Sequence, residues 1–370
     1  MSSPPGLYVH VPFCRTKCSY CGFFSITDQG GIASWLEAVA LETCAQAEEL
    51  TGFDTLYLGG GSPSSLSSGT LLELLSILRN TFIFADQVEA TIEVNPGDLG
   101  QERAAWLRSL ELNRVSVGVQ SFFDDELALI GRRHDAQLAR AAIEDLRAAG
   151  FTNLGIDLIA GLPGQSWSKR LASVERALDL EPDHLSCYDL TLEAGTPLAA
   201  AVQRGELSLP DDDTLTRGAE AVAELLFRRG YEQYEVSNYA RRKTHRSRHN
   251  QKYWRHVPYL GLGPSAHSFD GADRWWNAAS VATYGDRLGR GASPIQERET
   301  LSDEQLRIER LGLGFRTLDG VPLADLEPAD RSSTLLTQLV EQGLVTIDDG
   351  RVKPTRDGLR VADGLARAFL

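Results

Sequence analysis

Residues 14–21 read CRTKCSYC, a C-x3-C-x2-C array of Cys14, Cys18 and Cys21 with Tyr20 just ahead of the last thiol. Thiolates are soft ligands for transition metals, and two chemistries suit three of them so close together. An iron–sulfur cubane held by three cysteines keeps one iron free for an outside ligand. A structural zinc ion needs a fourth ligand, and His10 is the only nearby candidate. A disulfide framework fits less well, because it uses an even number of cysteines and this chain of 370 residues has five. The opening MSSPPGLYVHVPFC has no basic stretch followed by an apolar core, so no secretory signal is read and a reducing cytoplasm is expected.

The whole-chain properties fit that setting. Apolar residues make up 42% of the sequence, enough for one large and one smaller core, and no stretch has the length and apolarity of a membrane span. A net charge of −14 argues against a general nucleic-acid binder, whose affinity would rest on basic surface.

Elements able to hold the thiols in place are legible next. Short β-branched runs at 7–13, 55–59, 89–95, 114–120, 153–160 and 184–190 alternate with helical patterns such as 33–50 and 135–149, the latter closed by Gly150. Strand–helix alternation implies parallel pairing. The unusual residues cluster just after strands, as on the C-terminal rim of a barrel. The expectation is an α/β fold, a partial (β/α)6 barrel over residues 1–200, with a doubly wound open sheet as the competing arrangement. Residues 201–299 form an extension in which 231–269 are rich in aromatics, Asn and His. Residues 300–370 read as a small winged-helix-like α+β module, with a hairpin turn at Asp348–Asp349–Gly350. That module carries 12 acidic against 9 basic side chains, which favours a scaffold over a DNA-binding role.

The cysteine array at the end of a first strand resembles the radical S-adenosylmethionine (SAM) superfamily. Flanking motifs place the resemblance in its coproporphyrinogen-dehydrogenase-like branch, across nearly the whole chain. The resemblance implies a [4Fe-4S] cluster on Cys14, Cys18 and Cys21, with SAM on the open iron. Tyr8 and His10 match the family's Tyr-x-His, and Tyr20 is the aromatic residue of the cysteine motif. Gly59–Gly60–Gly61–Ser62–Pro63 stands where the family has GGGTP, with glycines letting backbone approach SAM closely. Glu93, Gln120, Arg132 and Asp157 resemble later SAM-contacting positions; an arginine suits a carboxylate, and acids suit ribose hydroxyls or the sulfonium.

Two departures separate the chain from the porphyrinogen-oxidising members. Phe23 stands where they carry a fourth cysteine, and only 13 residues precede Cys14 where they have a longer N-terminal arm, so that arm is not expected here. His249-Asn250-Gln251-Lys252-Tyr253-Trp254 matches an HNxxYW block of the family's heme chaperones. The resemblance therefore implies a protein that binds heme as cargo and passes it to acceptor hemoproteins such as respiratory-chain proteins. His249 is the candidate heme ligand, and the competing reading has it bracing a loop. An oxygen-independent coproporphyrinogen III dehydrogenase is the alternative function. His134 and His267 are secondary candidates, and Cys44 and Cys187 are read as packing residues. The basic run 241–248 is read as a solvated loop, or as a site for propionates, anionic lipid or an acidic partner. A homodimer and peripheral membrane association are left open.

Overall fold

The computed structural model describes residues 3–47, 50–331 and 333–370, so the end of the expected 33–50 helix falls partly outside it. Six strand–helix units come first in the chain: β1 (Gly6–Val11), α1 (Ile32–Ala45), β2 (Phe53–Gly60), α2 (Ser68–Thr81), β3 (Phe84–Val94), α3 (Gln101–Ser109), β4 (Arg114–Gln120), α4 (Asp124–Leu129), α5 (Ala136–Ala148), β5 (Leu154–Ala160), α6 (Trp167–Leu178) and β6 (His184–Asp189). The strands pair in parallel in chain order. Each face of the sheet has its own chemistry. In β4, Val115, Val117 and Val119 are buried in the apolar core, as are Leu56 and Leu58 of β2, Ile92 and Val94 of β3, and Ile156 and Leu158 of β5. The alternate residues Tyr57, Glu93, Ser116 and Asp157 line an internal cavity instead. Period-two alternation thus builds an outer hydrophobic layer for the helices and an inner polar one.

Local signals set the helix boundaries. Ser67, Asp135 and Ser166 each accept an N–H from the first turn of the helix that follows. Gly150 takes a φ of +89° just beyond α5, a conformation glycine adopts without strain.

The extension continues the same sheet. It comprises α7 (Pro197–Gln203), α8 (Asp212–Arg228), β7 (Glu232–Gln233), β8 (Asn238–Ala240), α9 (Arg248–Trp254), β9 (Tyr259–Leu262), β10 (His267–Phe269), β11 (Asp273–Asn277), α10 (Val281–Gly289) and β12 (Ile295–Thr300). The complete order is β12-β11-β10-β9-β1-β2-β3-β4-β5-β6-β8-β7. β9 lies parallel to β1, a seventh parallel strand in a stretch read from sequence only as aromatic-rich. Val222, Tyr231, Leu260 and Tyr284 join the core built by the first half. The architecture is therefore an open partial barrel whose sheet is extended antiparallel at both edges.

Residues from α11 (Asp303–Gly314) onward form a second core of Leu311, Phe315, Val321, Leu336, Val352 and Phe369. The order α11, β13 (Val321–Pro322), α12 (Thr334–Glu341), β14 (Val345–Asp348), β15 (Arg351–Pro354), α13 (Arg356–Leu359), α14 (Ala362–Arg367), with sheet order β13-β15-β14, is a winged-helix arrangement. Asp349 and Gly350, both with positive φ, make the expected two-residue hairpin turn. A Cβ on Gly358 would overlap the Leu344 carbonyl oxygen. Gly358→Ala should cost the module about 2–4 kcal/mol by forcing backbone apart. Native-state hydrogen exchange should accelerate at Val352 and Leu336 while β2–β5 keep their protection; uniform acceleration would instead mean one cooperative unit.

Candidate functional site

The cluster loop leaves the C-terminal end of β1 and is pinned at many points. Cys14 N–H donates to Ile26 O (2.9 Å), Ser19 N–H to Ile130 O (3.1 Å), and Leu198 N–H to Ser19 O (2.9 Å). His10 Nε2 donates to Phe24 O (2.8 Å), which leaves Nδ1 to accept from Tyr8 OH (3.0 Å). Burial holds this imidazole neutral, with its pKa below the ordinary value. With both nitrogens engaged, His10 braces the loop and is not offered as a fourth metal ligand.

Cys14, Cys18, Tyr20 and Cys21 line one cavity of about 610 Å³ together with Gly60, Gly61, Ser62, Glu93, Gln120, Arg132 and Asp157. Residues from five separate strand ends meet there. Burial pushes the Cys14 thiol up to about 11 and raises that of Cys21. Those two bare thiols are therefore protonated at neutral pH, and loading iron onto them must release protons. Arg132 Nη1 reaches Cys18 Sγ (3.5 Å), and its Nη2 donates to the Gly118 carbonyl. Gly118 has no side chain to obstruct this: a Cβ there would sit 3.1 Å from Gln120 Nε2 and 3.4 Å from Arg132 Nη2. Gln120 has a φ of +71° where β4 and β5 shift register, which turns its side chain into the cavity.

The Gly-Gly-Gly-Ser loop has a different constraint from the one expected. Gly61 N–H donates to Val11 O (2.8 Å) and Ser62 N–H to Phe13 O (2.9 Å), so the loop lies against the backbone entering the cysteine array. A Cβ on Gly61 would come within 2.7 Å of Val11 O, and one on Gly60, where φ is +103°, within 2.5 Å of the His10 ring. The glycines thus allow two chain segments to meet, and only their outer edge faces the cavity.

Two acids sit inside. Glu93 accepts from Tyr57 OH (2.7 Å) and Gly60 N–H (3.3 Å); burial, reinforced by Asp157, lifts it to about 7. Asp157 accepts from the hydroxyls of Ser116 (2.9 Å) and Ser186 (2.6 Å), and burial raises it as well.

Three expected positions are placed differently. Tyr8 and His10 stand behind the cavity wall, Tyr8 packed beside the stacked rings of Tyr57 and His249. His249 is corrected as a heme ligand in this structure: it is 1% exposed, and Thr55 Oγ1 (2.8 Å) and Tyr253 OH (2.9 Å) occupy its two nitrogens. Its helix, α9, plugs the opposite, N-terminal end of the barrel, where the N–H groups of Arg248 and His249 donate to Glu89. The bracing role fits this geometry. His134 is buried with Nε2 on Val119 O (3.0 Å), and His267 stacks on Trp276 at the added edge. Cys187 is buried as expected, whereas Cys44 is exposed. Ser265 adopts the left-handed conformation (φ +63°). In the basic run, Arg241, Arg246 and Arg248 pair with Glu181, Glu232 and Asp54, so much of its charge fastens the loop to this chain.

Tyr57 and Asp98 escaped the sequence reading. Asp98 is fully enclosed and bonds Arg15, Arg133, Ser62 and Ser64. Glu193 covers the cavity beside Gly22, whose Cβ would sit 2.7 Å from it. Alternation in TLYLGGG was the available signal for Tyr57; no local pattern marks Asp98.

A thiol-rimmed cavity in an open parallel barrel defines a radical SAM protein. Residues 8–177 match the Radical SAM superfamily and residues 301–361 the HemN C-terminal domain. The heme chaperone HemW of Mycobacterium tuberculosis is 38% identical over 99% of this chain and 95% of its own length, and that of Bacillus subtilis 33% over 98% of each. The structure of Escherichia coli coproporphyrinogen III oxidase (HemN), described as a radical SAM enzyme, superposes with a TM-score of 0.85 at 25% identity, covering 100% of this chain and 90% of that one. The chain belongs to the HemW family.

Two outcomes test the site geometry. Because folding raises the Glu93 pKa above that of a free glutamate, its stabilising contribution is complete below about pH 4.5 and is lost as pH climbs through about 7. Glu93→Gln should flatten that decline and stabilise the cluster-free protein at pH 8 by roughly 1 kcal/mol, since water in the cavity screens part of the effect. It should weaken SAM binding at the same time, and parallel pH–melting curves would refute the assignment. His249→Ala should lower the melting temperature, at a cost of about 2–4 kcal/mol for the cavity and the stranded Thr55 hydroxyl, without moving the Soret band of bound hemin. A shifted band would return His249 to the iron.

Proposed function

We propose that this chain is a heme chaperone of the radical SAM type, which binds heme and delivers it to acceptor hemoproteins such as those of respiratory chains. The observation that carries the reading is the site's composition. Three thiols, Glu93, Arg132 and Asp157 share one cavity, and position 23, at its mouth, is a phenylalanine 71% exposed instead of a further cysteine. The full-length likeness to proteins named heme chaperones supports the same conclusion.

The donor set fits a [4Fe-4S] cluster and SAM. Cys14, Cys18 and Cys21 would hold the cluster, which when bound supplies an open iron and a reducing electron for SAM chemistry. Tyr20 and Arg132, both beside Cys18, set the charge near the thiols. Arg132 Nε is buried without an acceptor, which suits an incoming carboxylate such as that of the methionyl group. Glu93 and Asp157 present carboxylate oxygens on the far side, where hydroxyls or a cationic sulfur would be received. The Gly60–Ser62 edge and Gln120 complete the walls. Phe23 and Tyr188 expose ring surface around the opening, apolar area of the kind a porphyrin face covers.

Coproporphyrinogen oxidation is the second reading, favoured by the superposition on the E. coli oxidase. One anaerobic experiment separates the two. Protein with a reconstituted cluster, SAM and reductant receives either hemin or coproporphyrinogen III. We expect hemin to bind stoichiometrically and pass to an apo-hemoprotein, and Cys18→Ser to abolish the cluster's visible absorbance. Catalytic 5′-deoxyadenosine release with decarboxylation of the porphyrinogen would overturn the chaperone reading.

A further inference from the structure

The lower half of the cavity carries groups that the cluster and SAM contacts leave unused. Arg114 rises from the start of β4 into this space and is only 2% exposed. Its Nη1 donates to Asn153 Oδ1 (2.9 Å) and His245 O (3.1 Å), both uncharged acceptors, and its Nε is buried without one. No carboxylate lies within ion-pair distance of it among the described residues. A guanidinium stays charged in a protein, and a buried cation without a close counter-charge is costly.

His184, 1% exposed, is beside it. The Tyr234 oxygen accepts Ser247 N–H (3.2 Å), and among the described residues its own hydrogen has one acceptor in reach, His184 Nε2 (2.8 Å). That fixes the tautomer: the ring proton sits on Nδ1, which has no acceptor. Burial, assisted by the Arg114 charge, keeps the ring neutral, so Nδ1–H remains a donor across the working pH range. Ser116 completes the group, and its hydroxyl hydrogen is committed to Asp157.

Gly155 shows that these groups converge. A Cβ built there would have His184 Nδ1 at 3.4 Å, Ser116 Oγ at 3.5 Å and Arg114 Nη2 at 3.7 Å. One point is thus surrounded by a buried guanidinium and a fixed N–H, and kept open by the missing side chain. A ligand there must accept hydrogen bonds and carry negative charge. The flat guanidinium edge suits a planar two-oxygen group. Asp157, an acid lining the same cavity, is already capped by two serine hydroxyls, which reduces its repulsion.

We propose that Arg114, His184 and the space over Gly155 form a carboxylate-binding site in the floor of the barrel, below the SAM region. Its ligand is the propionate arm of a porphyrin or a separate small carboxylic acid. The porphyrin source rests on the chaperone reading, whereas the site itself does not.

Cluster-loaded protein with SAM is titrated with propionate and with neutral propionamide, followed by thermal shift. Hemin and hemin dimethyl ester are compared by absorbance. Arg114→Gln removes the charge. Gly155→Ala keeps every polar group and adds only a methyl at ordinary contact distances, so it folds and fills the space; an unchanged cluster spectrum checks this. We expect propionate, and not propionamide, to stabilise the protein, and both variants to abolish the effect. If the source is a porphyrin, hemin binds about tenfold more tightly than its ester, and Gly155→Ala removes the difference. Propionate protection that depends on Gly155, with hemin and ester bound alike, supports the site with a free carboxylate as ligand. If neither porphyrin binds while propionate protects, the chaperone reading fails and the site stands. Equal responses to propionate and propionamide, with hemin and ester affinities that Gly155→Ala leaves unaltered, overturn it and leave only water there.

Discussion

The enclosed carboxylate of Asp98 is the interaction on which the rest of the site depends. It pairs with Arg133 at 2.7 Å and Arg15 at 3.3 Å, and accepts from the hydroxyls of Ser64 at 2.8 Å and Ser62 at 3.1 Å. Those partners belong to the cysteine loop, the glycine loop and the segment carrying Arg132, so one acid ties together three pieces of chain that must share a cavity. Two arginines and two hydroxyls meet the requirement that a buried charge be paired and its lone pairs satisfied. Removal of the acid would strand Arg133 and free Arg15 together, a cost of several kcal/mol concentrated at the cavity mouth. Ser64 Oγ also accepts Asn95 N–H (3.0 Å), which links the same node to the end of β3, two residues beyond Glu93.

A second constraint follows from the polar interior. Barrels of this kind usually fill their centre with branched apolar side chains. Here the inner faces carry Glu93, Arg114, Ser116, Asp157 and His184, and stability comes from the outer layer, where α2 alone buries Leu71, Leu74, Leu75 and Leu78. The two functions are separated by the pleat: the same strands hold the fold on one side and the chemistry on the other. The cost appears in the buried acids, since Glu93 and Asp157 are both driven toward the protonated form by desolvation.

Features governed by short-range rules were legible in the sequence. The cysteine spacing, the six parallel strands, the Asp349–Gly350 turn and the helix after Asp135 each depend on a few neighbouring residues. Eleven expected site residues line one cavity because a parallel β/α repeat sends every strand end to the same rim. What escaped depends on partners far away in sequence. His249 reads as a ligand because a histidine among aromatics has that chemistry, yet Thr55, 194 positions away, claims its Nδ1. Asp98 carries no motif of its own and acquires its meaning from Arg15 and Arg133. Tyr8 and His10 show a subtler limit: the motif was found, but spacing could not say that their side chains brace the loop from behind.

The HNQKYW helix now has a mechanical reading. At its first turn, the N–H groups of Arg248 and His249 are tied to Glu89 at the base of β3, and Ser247 and Asn250 reach the floor of the main cavity. At its other end, Trp254 and Arg255 line a separate cavity of about 510 Å³ shared with Arg310 and Arg351 of the C-terminal module, and Arg255 pairs with Asp319 at 2.6 Å. His256, just beyond, is held to Glu309 of α11 at 2.9 Å. The helix is only seven residues long, so a shift at one end is passed to the other with little room for bending. Lys252, paired with Asp54 at 2.5 Å and bonded to Pro4 O, fixes its middle to the start of the barrel. The block therefore forms a rigid strut between the base of the site and the winged-helix module.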